Sequence, residues 1–126
     1  MSALTVKAGN VEVTIEMADS ETAKKILEAV PFESSVMTWG DEVYFETPVA
    51  DELDGTAKEI MEVGEVGYWP SGNALAMFFG PTPASGGDEP RAASPVNVVG
   101  RIAGDPLVLK DVKGGDGIIV RGQDGG

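Results

Sequence analysis

The residues with the clearest capacity for chemistry in this chain are aromatic side chains on strand-like segments. Six large apolar side chains and two polar ones form the set: Trp39, Tyr44, Tyr68, Trp69, Met77 and Phe79, with Glu46 and Asn97. Rigid aromatic walls with a few polar groups suit the binding of a peptide or a small ligand. The sequence therefore predicts a ligand-binding concave face. The same side chains could instead fill the interior of a small barrel, and the sequence leaves that alternative open.

Composition excludes several kinds of catalysis. The chain contains no histidine and no cysteine, so a Ser-His-Asp triad, a Cys-His pair and a typical zinc site cannot be built. Paired carboxylates remain, for example Glu42 with Glu46, which can project from one strand face. Residues 51–54 resemble part of a calcium loop, but they lack its spacing, glycine and terminal glutamate, and indicate a solvated acidic turn. We therefore predict no catalytic residue, no metal and no cofactor.

The last residues suggest a different class of function. The sequence ends in Gly125-Gly126, after a polar, glycine-rich stretch, and we interpret residues 122–126 as a flexible tail. A terminal diglycine resembles the tails of ubiquitin-like modifiers and sulfur carriers, whose carboxylate is adenylated by an activating enzyme. Two residues without side chains can thread the narrow channel of such an enzyme. An ordinary chain terminus in a glycine-rich protein explains the same residues.

Charge restricts the partners. With 21 acidic and 9 basic residues the net charge is −12, which repels a phosphate backbone and argues against nucleic acid. Many carboxylates also keep a protein solvated in concentrated salt, so a halophilic source is plausible. No signal peptide or membrane-length apolar run is present, and no partner in a membrane is expected. Together with the absence of cysteine, this predicts a cytoplasmic prokaryotic protein.

Hydrophobic periodicity predicts a mainly β protein. Alternation over residues 4–17 around Gly9-Asn10 indicates a β-hairpin, and further strands are expected at 34–39, 42–47, 66–69, 74–79, 95–103 and 117–121. Asp19 or Ser20 can cap a helix that ends at Pro31, and residues 57–61 are compatible with a second, shorter helix. A loop rich in Pro, Gly and Ser, residues 81–95, is expected to be mobile. The chain thus predicts one domain over residues 1–126, with about eight strands and one or two short helices in an antiparallel barrel or sandwich.

Five segments carry a family resemblance. Residues 26–34 (ILEAVPFES), 39–48 (WGDEVYFETP), 63–70 (VGEVGYWP), 74–83 (ALAMFFGPTP) and 96–102 (VNVVGRI) resemble a family of small prokaryotic cyclophilin-like proteins without an assigned function. The resemblance covers about residues 11–120. It implies a minimal cyclophilin-type closed antiparallel β-barrel, capped by short helices.

The departures from true cyclophilins limit what the resemblance implies for activity. Prolyl isomerases of that type use an arginine, a glutamine and a histidine beside a hydrophobic proline pocket. Here Val96 falls at the histidine's place, the only glutamine is Gln123, and residues 39–48 contain no arginine. Because preorganised donors supply the electrostatic help, their loss predicts weak or absent isomerase activity. The preferred function is a noncatalytic peptide- or small-ligand-binding module, and an atypical isomerase remains an alternative.

Overall fold

Antiparallel strands make up most of the computed structural model, which describes residues 2–122. The ten strands in chain order are β1 (Ala3–Ala8), β2 (Val11–Met17), β3 (Phe32–Ser35), β4 (Met37–Thr38), β5 (Glu42–Glu46), β6 (Lys58–Ile60), β7 (Glu65–Trp69), β8 (Ala74–Phe78), β9 (Arg91–Ala103) and β10 (Gly117–Gly122). Of the predicted tail, residues 122–126, Gly122 is the last residue of β10. Residues 123–126 lie outside the described residues. The mainly β prediction is confirmed.

The strands form a ten-stranded sheet in the order β3-β10-β1-β2-β9-β7-β8-β5-β4, with β6 paired to β9. The two ends of this order, β3 and β4, do not pair with each other, so the predicted closed barrel is not confirmed. They follow one another in the chain and are separated by Val36, whose N–H donates to the carbonyl of Asp116 at 2.8 Å. The segment thus leaves β10 and joins β5, while the Phe32 and Phe45 rings lie 6.4 Å apart across the gap.

One α-helix, α1 (Glu21–Ala29), accompanies the sheet, and Ser20 caps it by accepting a hydrogen bond from the N–H of Ala23 at 3.2 Å. Such a cap stabilises a helix by about 1 kcal/mol. Two short 3-10 helices span Pro70–Gly72 and Pro106–Asp111. The helix considered for residues 57–61 is wrong, because β6 pairs with β9 there and places Lys58 opposite Val96. Tertiary pairing overrides the weak helical periodicity of a short segment.

The sheet buries side chains on both faces. The main core holds the inward residues of β1, β2 and β10 together with Val43, Phe45, Val66, Tyr68, Leu75 and Met77. A second, outer cluster on the opposite face consists of Met61, Ala76, Phe78, Ala92 and Val96, with Tyr44, Trp69 and Val98 packed against it. Successive residues of a strand point to opposite faces, so Phe78 joins the outer cluster and Phe79 the main core.

The predicted loop 81–95 is shorter in the structure, because β9 begins at Arg91. Its remaining part is folded back on itself by Thr82, whose N–H donates to Oγ of Ser85 at 2.9 Å and whose hydroxyl donates to the carbonyl of Arg91. This hydrogen bonding sets the start of β9 beside β6, and so brings Ala92 and Ala93 towards the outer cluster.

Candidate functional site

A pocket of about 210 Å³ opens on the face of the sheet that carries the outer cluster. We call it the outer pocket, and it is lined by Trp39, Glu42, Tyr44, Trp69, Ala92, Ala93 and Val96. Three of these seven described residues are aromatic, three are aliphatic and one is a carboxylic acid. The site is therefore an apolar concavity with one ionisable wall, which is the usual composition of a ligand site.

Strand alternation explains how four elements contribute to the outer pocket. On β5, Glu42 and Tyr44 point outward while Val43 and Phe45 point into the main core. Trp39 reaches the same side because its N–H donates to the carbonyl of Glu42 at 3.0 Å, which closes a turn between β4 and β5. The wall is completed by Trp69 of β7 and by three residues of β9, Ala92, Ala93 and Val96.

Val96 of β9 lies over Gly67 of β7. A Cβ atom on Gly67 would come within 2.5 Å of Val96 Cγ2, so only a glycine allows this approach. The pairing register of β7 and β9 also shifts between Val66 and Gly67. The bulge and the missing side chain together seat Val96 in the wall of the outer pocket.

Trp69 is held on three sides. Its indole N–H donates to Oγ of Ser94 at 2.6 Å. Its ring lies against Gly72, where a Cβ would come within 2.8 Å of the indole. The rings of Tyr44 and Trp69 have centroids 6.3 Å apart and planes at 84°, an edge-to-face arrangement that aromatic pairs favour. The pocket thus has two fixed aromatic walls at nearly a right angle.

Glu42 is the electrostatically unusual residue of the outer pocket. It is only 8% exposed, and its strand partner on β8 is Phe78. Among the residues that the structure describes, its carboxyl group has no hydrogen-bond or ion-pair partner. Burial disfavours the charged carboxylate and raises the pKa of Glu42 to about 7. Close to neutral pH this side chain therefore exchanges between an acid that donates a hydrogen bond and an anion that attracts a cation.

The eight residues predicted from the sequence to bind a ligand lie in three different environments. Trp39, Tyr44 and Trp69 line the outer pocket. Four others are buried: Tyr68, Met77 and Asn97 are fully inaccessible, and Phe79 is 6% exposed. Glu46 is exposed at the end of β5, opposite Ala74. The predicted aromatic set is thus split between the outer pocket and the interior.

Tyr68 anchors the segment that follows β5. Its hydroxyl donates to the carbonyl of Val49 at 2.6 Å and accepts from the N–H of Asp51 at 3.2 Å, while desolvation raises its pKa. The Asp51 carboxylate accepts from the Thr22 hydroxyl at 2.7 Å, and this bond, the Glu52 N–H and Lys25 lower the pKa of Asp51. The acidic residues 51–54 therefore hold a loop against α1.

Asn97 completes the same network from β9. Its side-chain oxygen accepts from the N–H of Asp54 at 2.8 Å, and its amide donates to the Glu52 carbonyl at 2.8 Å and to the Thr22 hydroxyl at 3.1 Å. All polar atoms of the side chain are engaged inside the protein. Within residues 2–122, no group of three or more carboxylates is arranged to hold a metal ion.

Sequence reasoning missed part of the pocket wall. From the sequence, Glu42 is predicted only as one of a possible pair of carboxylates and not as a pocket residue. Its position two residues before Tyr44 nevertheless places both side chains on one strand face. Ala92 and Ala93 fell in the segment expected to be a mobile loop. No sequence signal marks these two alanines as pocket residues.

The fold and the pocket define a class: a mainly β domain built on an antiparallel sheet with few helices, in a cyclophilin-like arrangement. The cyclophilin-like family model matches residues 2–121, and the chain belongs to that family. This confirms the family resemblance of the five sequence segments.

A solved structure has the same fold. The chain is similar to the solution structure of the hypothetical protein AF2241 from Archaeoglobus fulgidus, with 38% sequence identity and a TM-score of 0.81. The similarity covers 95% of this chain and 93% of the archaeal one. No match was found among proteins with curated descriptions. No helix within residues 2–122 is long and apolar enough to cross a membrane.

Proposed function

We propose that the protein is a noncatalytic binding module that takes a small ligand, or one side chain of a peptide, in the outer pocket. The observation that carries the proposal is a preformed apolar concavity whose aromatic walls are fixed by Ser94, Gly72 and ring packing. Walls that are already in place lose little conformational entropy when a ligand binds. A cavity of about 210 Å³ is below the range of roughly 300–1,000 Å³ of sites for drug-sized ligands. It suits a single side chain or a compact head group.

The chemistry of the wall supports binding rather than catalysis. Of the seven described lining residues only Glu42 and Tyr44 carry an ionisable group, and none is a histidine, a lysine or an arginine. Val96 lies in the wall, and the sequence resemblance assigns it to the place of the cyclophilin histidine. A twisting Xaa-Pro amide is stabilised by preorganised donors, and the pocket offers few of them. We expect the protein to accelerate Xaa-Pro exchange weakly or not at all.

Intrinsic fluorescence provides a direct test. Both tryptophans of the chain line the outer pocket, so a ligand that enters it changes the environment of each fluorophore. A fragment library that includes Xaa-Pro dipeptides should yield saturable emission changes. Ala93→Leu extends an exposed wall residue into the pocket and should abolish them. Ala103→Leu is the matched control, because Ala103 is exposed at the other end of β9 and should leave binding intact. Binding that survives Ala93→Leu, or a library without any saturable hit, would reject the proposal.

A further inference from the structure

The outer pocket combines features that suit one kind of ligand. Three aromatic rings and one carboxyl group face the same space, and none of its seven described lining residues is basic. The faces of aromatic rings carry negative partial charge and attract cations, Trp most strongly. We propose that the outer pocket binds the alkylated ammonium group of a small organic cation, such as a trimethylammonium head group. This inference rests on the proposed binding function and adds the ligand class.

Ring geometry supports a cation between the walls. The Tyr44 and Trp69 planes meet at 84°, so the two rings form a corner instead of a parallel stack. A rounded group held in such a corner contacts both rings. Trp39, which the turn closed by Glu42 fixes beside them, supplies the third aromatic wall.

The type of cation follows from the shortage of hydrogen-bond acceptors. A primary ammonium brings three N–H donors and a guanidinium five, and each donor that loses water needs a partner. Glu42 is the only carboxyl group in the described pocket wall, and the Ser94 hydroxyl is engaged with Trp69. An alkylated ammonium has a full charge and no N–H donors to satisfy, so it can be desolvated against apolar walls at lower cost.

Glu42 gives the pocket its charge complementarity. Glu42 as a residue is 8% exposed, and its carboxyl group has no partner among the described residues. Charged groups on the adjoining elements have other partners or other neighbours than Glu42. Arg91 of β9 pairs with Glu59 at 3.3 Å, Lys58 of β6 pairs with Glu65 at 2.8 Å, and the carboxyl group of Asp41 lies against Gly80. Glu46 is exposed two residues beyond Tyr44. Because none of the described lining residues is basic, a bound cation would bring the positive charge that the described pocket wall lacks.

The ionised form of Glu42 is the form that attracts a cation, so binding should depend on pH. Burial raises the pKa of Glu42 to about 7. If only the carboxylate form binds, affinity should be nearly constant above pH 8 and about tenfold weaker at pH 6, where about a tenth of the protein is competent. A cation that binds in turn favours the carboxylate and releases a proton.

Calorimetric titration of the full chain with choline chloride, compared with 3,3-dimethyl-1-butanol, tests the inference. The alcohol is the uncharged carbon analogue of choline and has nearly the same shape. At pH 8 we expect choline to bind at least tenfold more tightly than the alcohol, and Glu42→Gln to reduce this preference about tenfold. Glu46→Gln is the matched control, and it should retain the preference. Measurement in 0.15 M and 0.5 M NaCl screens the nonspecific attraction between choline and the net charge of −12 on the protein.

The outcomes separate the two proposals. Equal affinity for choline and the alcohol would overturn the ammonium assignment and leave a purely apolar binding pocket. Loss of the preference in Glu46→Gln to the same extent as in Glu42→Gln would also overturn it, because the effect would then come from surface charge. Failure of both compounds to bind, while other fragments change the tryptophan emission, would reject the ligand class only. Failure of every compound would reject the binding function itself.

Discussion

Replacement of Glu42 by glutamine should make the protein more stable at alkaline pH. The pKa of Glu42 is about 7 in the folded protein and 4.5 in the unfolded chain, because burial opposes its ionisation. As pH rises above 4.5 the unfolded chain loses this proton first, so ionisation favours unfolding. The penalty grows between pH 4.5 and pH 7 and is constant above that range. The 2.5-unit difference corresponds to about 3 kcal/mol.

Glutamine has nearly the same shape and does not titrate, so the variant lacks this penalty. The difference in unfolding free energy between Glu42→Gln and the parent protein should shift by about 3 kcal/mol in favour of the variant from pH 4 to pH 8. Urea titrations followed by far-ultraviolet circular dichroism measure it. Urea is preferred to guanidinium chloride because a salt screens the charges under test.

The comparison with Glu46→Gln isolates burial as the cause. Glu46 lies on the same face of β5 but is exposed, so Glu46→Gln removes a carboxyl group that is not buried and should not reproduce the stability gain expected of Glu42→Gln. Titration of the other 19 acidic residues affects each protein alike and cancels in the difference. Parallel stability curves for Glu42→Gln and the parent protein would show that Glu42 ionises freely, and would refute the burial argument.

Three further perturbations test the pocket wall and the buried network. Gly72→Ala places a methyl group within 2.8 Å of the Trp69 ring, so it should move the indole, alter the near-ultraviolet dichroism and weaken ligand binding; an unchanged spectrum would contradict this contact. Asn97→Ala removes one buried and two partly buried hydrogen bonds and should lower the unfolding free energy by about 2 to 4 kcal/mol in urea titration, whereas a loss below 1 kcal/mol would show that water replaces them. Thr22→Val removes the hydrogen bond that contributes most to the lowered pKa of Asp51, so carboxyl-carbon NMR should find that pKa raised towards its ordinary value; the stability that Asp51 contributes above its unfolded pKa should then be smaller.

Local patterns were sufficient where an element depends on its own residues. The hairpin of β1 and β2, the Ser20 cap of α1 and the strand character of β5, β7 and β8 follow from alternation and capping chemistry. The opposite orientations of Phe78 and Phe79 follow from the two-residue period of a strand. The five motif segments also indicated the family, and the match over residues 2–121 confirms it.

Pairing partners decided what local patterns left open. Residues 57–61 have a weak helical period, but the long strand β9 offers them an edge to pair with. The same pairing places Lys58 opposite Val96, which lines the outer pocket. A pairing between segments more than thirty residues apart leaves no mark in either segment alone.

Burial separated residues that look alike in the sequence. Tyr68 and Trp69 are neighbours with similar chemistry, yet one bonds to Val49 in the interior and the other lines the outer pocket. Alternation predicts that they face opposite ways, but only packing against β9 and the loop at Val49 determines which face each occupies. Glu42 and Glu46 differ in the same manner. The sequence by itself determined most of the strands, the family and the excluded chemistries. The tertiary structure decided that Glu42 and not Glu46 is desolvated, because desolvation depends on neighbours that the chain brings together only when it folds.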